Sequence, residues 1–168
     1  KPVTAVGVMI LVDEGRIDLD APVSTYLPEL SGYELDGTRV TVRHLLTHTS
    51  GFGVFGTSPG PAPDLTLEQR VHQLSTLRPV VRPGARWEYS GFDGFDILAR
   101  IIEVVAREPY EAFLQRRVFD PLEMRDTAFS LTPAQRTRLA GLYGARDGQI
   151  SATPPAFQMP AYPAGGAG

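Results

Sequence analysis

Apolar residues run almost unbroken from Val3 to Val12 and stop at Asp13-Glu14-Gly15. With Pro2 tolerated in a first turn and Gly15 as a stop, this predicts a helix over Pro2 to Glu14. Apolar positions occupy nearly all its faces, so an interior helix is expected. The clearest period lies further on. Phe95, Leu98, Ile101, Ile102 and Val105 recur at helical spacing and predict a helix over Gly94 to Arg107 with one apolar face. Pro109 separates it from a further helix, Tyr110 to Val118.

Polar caps mark the remaining starts. Thr41 precedes a helix over Val42 to Thr47, and Thr66 one over Leu67 to Leu77. Thr132-Pro133-Ala134-Gln135 has a capping-box layout and predicts Pro133 to Leu139. Asp20 is read as the cap of a brief helix at Pro22 to Tyr26, closed by Pro28. Leu30 to Arg39 is turn-rich, and Gly51 to Pro63 is a Gly/Pro loop. Only Gly141 to Arg146 and Gln149 to Thr153 read as strands, with Asp147-Gly148 as a tight hairpin signal between them. No internal repeat is present. The reading is a mainly α body with little sheet.

Composition adds limits. The 168 residues fit one domain, and 42% hydrophobic against 21% charged content supports a real core rather than disorder. With a net charge of -3 and no basic stripe, no nucleic-acid partner is expected. The apolar run at the start is far shorter than the ~20 residues of a membrane span. The absence of cysteine removes disulfides, thiolate metal sites and cysteine nucleophiles and leaves the compartment open. The first helix lacks its beginning and Gly165-Gly166-Ala167-Gly168 closes no element, so residues 1–168 are expected to be a single partial domain, a fragment truncated at both ends.

Three literal motifs fail on context. Gly56-Thr57-Ser58-Pro59-Gly60 fits G-x-S-x-G, but a nucleophile elbow needs a strand before the serine and a helix after it. Gly51 to Gly56 fits G-x-G-x-x-G but follows a helix, and Thr57 to Pro63 cannot open one. His44 and His48 are four apart, as a zinc pair would be, but the residues between lack the hydrolase glutamate. Both are read as structural, as is His72 on a polar face. No metal is expected.

The stretch Trp87-Glu88-Tyr89-Ser90-Gly91 follows a hard turn, Arg82-Pro83-Gly84, which is a good way to fix a phenol in space. Its surroundings match a known order of pieces. Lys1-Pro2-Val3-Thr4-Ala5-Val6, Leu19-Asp20-Ala21-Pro22-Val23 and Tyr26-Leu27-Pro28 come first. Thr41-Val42-Arg43-His44-Leu45-Leu46-Thr47-His48-Thr49-Ser50-Gly51 is the most distinctive. Trp87-Glu88-Tyr89-Ser90 and Pro121-Leu122-Glu123-Met124 follow. Together, from Lys1 to about Phe129, they resemble the serine β-lactamase-related family of class C β-lactamases, D-alanyl-D-alanine carboxypeptidases, D-aminopeptidases and related esterases. The resemblance implies the helical lobe of an α+β two-lobed β-lactamase/transpeptidase-like fold.

The resemblance also implies site residues. Lys1 aligns with the lysine of the family's Ser-x-x-Lys motif, whose serine would sit three residues earlier. Tyr89-Ser90-Gly91 aligns with Tyr-x-Asn or Tyr-Ser-x, with Gly91 in place of the Asn. A third motif, Lys/His/Trp-x-Gly, would lie beyond Gly168. Lys1 and Tyr89 are thus the implied catalytic residues, and Ser90 and Gly91 the implied substrate-binding positions. The chemistry is coherent. A serine hydroxyl is a poor nucleophile until a base takes its proton, and an amine one helical turn away can take it. A phenol beside that amine can share the proton traffic toward the leaving group. The implied function is acyl transfer to water through an acyl-serine. Gly91 favours esters over β-lactam or D-amino-acyl peptide substrates. No cofactor is implied. The fragment itself is expected to be inactive and to expose the apolar faces of residues 3–12 and 95–105. The rivals are a non-catalytic ligand-binding relative on the same scaffold and a stand-alone helical module.

Overall fold

The computed structural model describes residues 1–52, 65–91, 93–141, 143–146 and 148–152. The body is built on one helix, α4 (Asp93–Ala106), with four others laid against it or against each other. These are α1 (Pro2–Asp13), α2 (Val42–Leu46), α3 (Leu67–Leu74) and α5 (Tyr110–Leu114). A short α6 (Pro133–Arg136) follows. Helices α1, α2, α3 and α5 all pack on α4. The apolar stripe of α4 explains why: Phe95, Ile97, Leu98, Ile101 and Ile102 are all buried. The expectation that this stripe would lie open is therefore corrected. Its own neighbours cover it, and on this helix Val104 is the large hydrophobic that stays exposed.

Helix α1 meets this centre through Gly7. A Cβ there would lie 3.0 Å from Ile102 Cδ1 and 3.0 Å from Leu114 Cδ2, so the absent side chain permits the close approach. Thr4 Oγ1 and the Tyr110 hydroxyl, 2.7 Å apart, tie α1 to α5 in the interior. The opposite side of α1 lies open, as expected for residues 3–12 of this chain. Val6 is 47% and Met9 45% exposed, so an all-round apolar pattern has been buried on one face only.

Three helices begin as the local chemistry predicts. The Thr41, Thr66 and Thr132 side chains each accept a backbone hydrogen bond at N-cap, and the side chains of His44, Gln69 and Gln135 accept one from the backbone N–H of the cap. The helices after them end earlier than the periodicity suggested. Helix α5 does not stop at Leu114 but widens into a π turn over Gln115–Phe119.

Two readings need correction. Asp20 caps nothing: the turn at Val23–Thr25 has Pro22 at its N-cap with no side-chain bond, and the Asp20 carboxylate takes two bonds from Arg43 at 2.7 and 2.8 Å. A bidentate guanidinium is the stronger partner. The turn-rich stretch also holds a small antiparallel pair, β1 (Glu34–Leu35) and β2 (Thr38–Arg39). Asp36 and Gly37 form its turn at positive φ of 50° and 71°. The second hairpin, β3 (Tyr143–Arg146) and β4 (Gln149–Ala152), forms in the expected register with Arg146 opposite Gln149. The G-x-S-x-G match at Gly56 to Gly60 lies outside the described residues, as does the end of the chain from 153. Among the described residues no helix is long and apolar enough to cross a membrane.

Candidate active site

Lys1 is the N-cap of α1, and Pro2 opens the helix behind it. Tyr89 stands at the end of the extended piece that leads from the Pro83-Gly84 turn into α4. The two are far apart in sequence and adjacent in space. Lys1 Nζ lies 5.3 Å from the centroid of the Tyr89 ring and 5.8 Å from that of Phe95, the third residue of α4. Both distances are in the range where an ammonium is attracted to a ring face. Tyr89 is 40% exposed, so the pair opens to solvent rather than closing into the core.

What fixes the tyrosine is the segment after α2. His48 sits past the helix end at φ +55°, and Gly51 at φ +74°. This bends the chain alongside residues 80–90 and turns three carbonyls toward it. Gly51 O accepts from Val80 N at 2.8 Å, Thr49 O from Gly84 N at 2.8 Å, and His48 O from Glu88 N at 2.8 Å. A Cβ on Gly51 would fall 1.9 Å from the Val81 carbonyl oxygen, so only glycine fits this crossing.

The His48 ring then fills the space under the site. Its centroid is 4.8 Å from Tyr89, 5.3 Å from Phe95 and 6.3 Å from Trp87. Its Nδ1 is 3.1 Å from Ser90 Oγ. Burial holds the His48 imidazole below the ordinary histidine range, and the nearby Lys1 charge pushes the same way. His44 is displaced the same way, chiefly by burial. Its Nδ1 accepts from Thr41 N at 3.2 Å as part of the helix cap. The two histidines therefore serve different ends of α2 and do not converge.

Ser90 is buried, with its hydroxyl against His48. Gly91 adopts φ +64°, a left-handed conformation that glycine takes without strain. Trp87 projects outward, 65% exposed, its ring 6.4 Å from Tyr89 and near-parallel to it at 26°.

At the start of α4, shortly after Ser90 and Gly91 in the chain, lies a buried ion cluster that the sequence did not reveal. Arg70 of α3 is fully buried. It donates to Asp93 Oδ1 at 2.6 Å and to Gln73 Oε1 at 3.0 Å, and its Nε is 3.5 Å from Asp96 Oδ2. Both aspartates lie in the first turn of α4, where negative charge suits the helix dipole. The cluster fixes the start of α4 and so the exit of the tyrosine segment. The available signal was an arginine inside the apolar stripe Leu67, Val71, Leu74, facing two acids three apart.

The chain as a whole, rather than this pair, is what comparison with known proteins matches. The Beta-lactamase family profile matches residues 1–168. The chain belongs to that family. Esterase EstB of Burkholderia gladioli is 35% identical over 164 residues, covering 89% of this chain and 40% of that esterase. The D-alanyl-D-alanine-carboxypeptidase/endopeptidase AmpH of Escherichia coli strain K12 is 32% identical over 146 residues, covering 83% of this chain and 37% of AmpH. Among solved structures, EstCE1, a hydrolase with promiscuous acyltransferase activity, superposes with a TM-score of 0.83 at 27% identity. That match covers 100% of this chain and 52% of EstCE1. Its solved neighbours carry the β-lactamase/transpeptidase fold. The chain spans 40% or less of the length of these two curated relatives.

Proposed function

We propose that the full-length protein containing this chain is a serine hydrolase of the β-lactamase family, acting on esters in preference to β-lactams or D-amino-acyl peptides. Residues 1–168 are its partial helical lobe, with the second lobe of an α+β fold contributed by the rest of the protein. The observation that carries the reading is Lys1 Nζ, at the start of α1, 5.3 Å from the Tyr89 ring centroid. The nucleophile is a serine three residues before Lys1, one turn away on the same face.

In this reading Lys1, as its unprotonated amine, takes the serine proton and becomes the ammonium as the hydroxyl attacks the acyl carbon. Tyr89 passes a proton to the departing alcohol, and the acyl-serine is then hydrolysed by water with the same pair in reverse. Ser90 and Gly91 line the substrate side of Tyr89 through the course of their backbone, since the Ser90 hydroxyl is already held by His48. The relatives' names support hydrolase activity in general: an esterase and a carboxypeptidase share the same stretch. Glycine at position 91 offers no side-chain amide to a substrate amide, which favours the ester.

The test is turnover of a p-nitrophenyl ester and of a chromogenic cephalosporin by the full-length protein, with Tyr89→Phe and Lys1→Ala. Each substitution should lower ester kcat by roughly 10²–10⁴, the usual worth of a positioned acid or base. Intact-mass spectrometry should find the acyl group on the serine upstream of Lys1. Wild-type turnover by Tyr89→Phe would refute the assignment, and a residue other than serine at that position would favour a ligand-binding relative.

A further inference from the structure

The catalytic pair leaves one titratable side chain at the centre of the site without a task. His48 adopts φ +55°, a conformation that non-glycine residues seldom take. Its backbone is held there from both sides. The amide donates to Leu45 O at 3.3 Å, and the carbonyl accepts from Glu88 N at 2.8 Å. The side chain turns back to the same segment, where Nδ1 meets Ser90 Oγ at 3.1 Å. One residue thus grips both sequence neighbours of Tyr89, and its ring lies 4.8 Å from the phenol ring between them.

We propose that His48 is the positioning residue of Tyr89: its carbonyl holds Glu88, its ring holds Ser90, and the imidazole face sets the phenol toward Lys1. What Tyr89 does there rests on the hydrolase reading; how it is held does not.

The groups facing the imidazole make this clamp sensitive to protonation. From the start of α1 comes the Lys1 ammonium, and from the tyrosine segment the Tyr89 phenol. Phe95 of α4 and Trp87 carry no charge. The Glu88 carboxylate, on the same segment, is engaged by Arg86. A proton on His48 therefore sets a second cation beside Lys1 within a partly buried site, with no carboxylate bonded to the ring to offset it among the described hydrogen bonds. Acidification should loosen the tyrosine before it unfolds the protein.

Asparagine separates the roles. It tolerates the left-handed backbone, and its amide reaches the position of Nδ1 without titrating. In the full-length protein, His48→Ala should lower ester kcat by about tenfold or more with KM little changed, the pattern of a misplaced catalytic group. His48→Asn should recover most of kcat and lose one inflection from the acid limb of the kcat–pH profile. A second readout needs no turnover. With ring-labelled tyrosine, the Tyr89 NMR signals should move in step with the His48 imidazole titration, and His48→Asn should abolish that movement. If His48→Ala does not fold, the NMR comparison of wild type with His48→Asn decides. Unchanged kcat and pH profile in folded His48→Ala would overturn the proposal, as would Tyr89 signals indifferent to His48. If wild type turns over neither the ester nor the cephalosporin while Tyr89 follows His48, the hydrolase reading fails and the clamp stands. If turnover needs Tyr89 and not His48, the clamp fails alone.

Discussion

Replacing Arg70 by methionine tests whether the start of α4, and with it the tyrosine segment, is held by charge. Methionine keeps the unbranched apolar stem of the side chain and removes its charged end. The guanidinium is fully buried and bonded to Asp93 at 2.6 Å, with Asp96 at 3.5 Å. Without it, two buried carboxylates lose their shared cation. Removing one partner of a buried ion pair typically costs about 3–5 kcal/mol, because the remaining charge cannot return to water. Domains are stable by only about 5–15 kcal/mol, so this is a large share. For 150–250 residues each kcal/mol moves the midpoint by about 2–4 °C and for a longer chain by less, so roughly 6–20 °C is an upper range for the fall in the full-length protein. Thermal melts of the full-length protein followed by far-UV circular dichroism at neutral pH would measure it. Asp96→Asn in the Arg70→Met background should recover part of the loss, since residues of one network couple by about 0.5–3 kcal/mol. A midpoint within about 1 °C of wild type would refute the reasoning, because surface-like effects are of that size. The cluster would then be a passive consequence of the packing of α3 on α4.

Three further outcomes are expected. His44 and His48 both have folded pKa values lowered from the ordinary 6.5, so the unfolded chain takes up protons first as pH falls. The stability they confer is complete above that value and is lost as pH drops through the lowered folded values. Melting points measured downward from neutral pH should therefore decline before the Arg-paired carboxylates Glu14, Asp20 and Asp126 begin to titrate, and a rise would refute this. Gly51→Ala places a Cβ 1.9 Å from the Val81 carbonyl oxygen at φ +74°, so ester turnover and melting point should both fall. Retention of both would show that the crossing yields easily. Thr4→Val leaves the buried Tyr110 hydroxyl without its 2.7 Å partner and should cost about 1–3 kcal/mol in a urea titration. Adding Tyr110→Phe should shrink that cost, because an apolar pair leaves nothing unsatisfied.

Where the sequence was read correctly, the cause was local. A threonine three residues before a histidine or glutamine closes its own cap, so the starts of α2, α3 and α6 could be read without the rest of the molecule. The stripe of α4 was equally legible, but its burial was not, because the partners that cover it come from four separate helices. Asp20 shows the limit of a cap signal: a distant arginine offered a better bond. The β1–β2 pair was missed because strands of two residues have no alternation to read, although Asp36-Gly37 carries the same turn signal as Asp147-Gly148.

The candidate site was legible only as far as the resemblance named its members. Nothing in Lys1 or Tyr89 alone tells that they meet. Their meeting is a property of α4. Phe95 near its first turn receives Lys1, the residues just before it carry Tyr89, and Ile102 near its far end receives Gly7 of α1. Once α1 is seated on α4 through that glycine, the position of Lys1 relative to Tyr89 is determined by the packing of two helices. The remaining freedom, the angle of the tyrosine segment, is taken up by His48 at Ser90 and by the Arg70 cluster at Asp93. A histidine four residues after another suggests a metal pair only while both are imagined on one helix. The left-handed turn at His48 removes it from that helix and delivers it to the tyrosine. The spacing that looked like a ligand pair is thus the length of a short capped helix plus the one residue needed to reverse the chain.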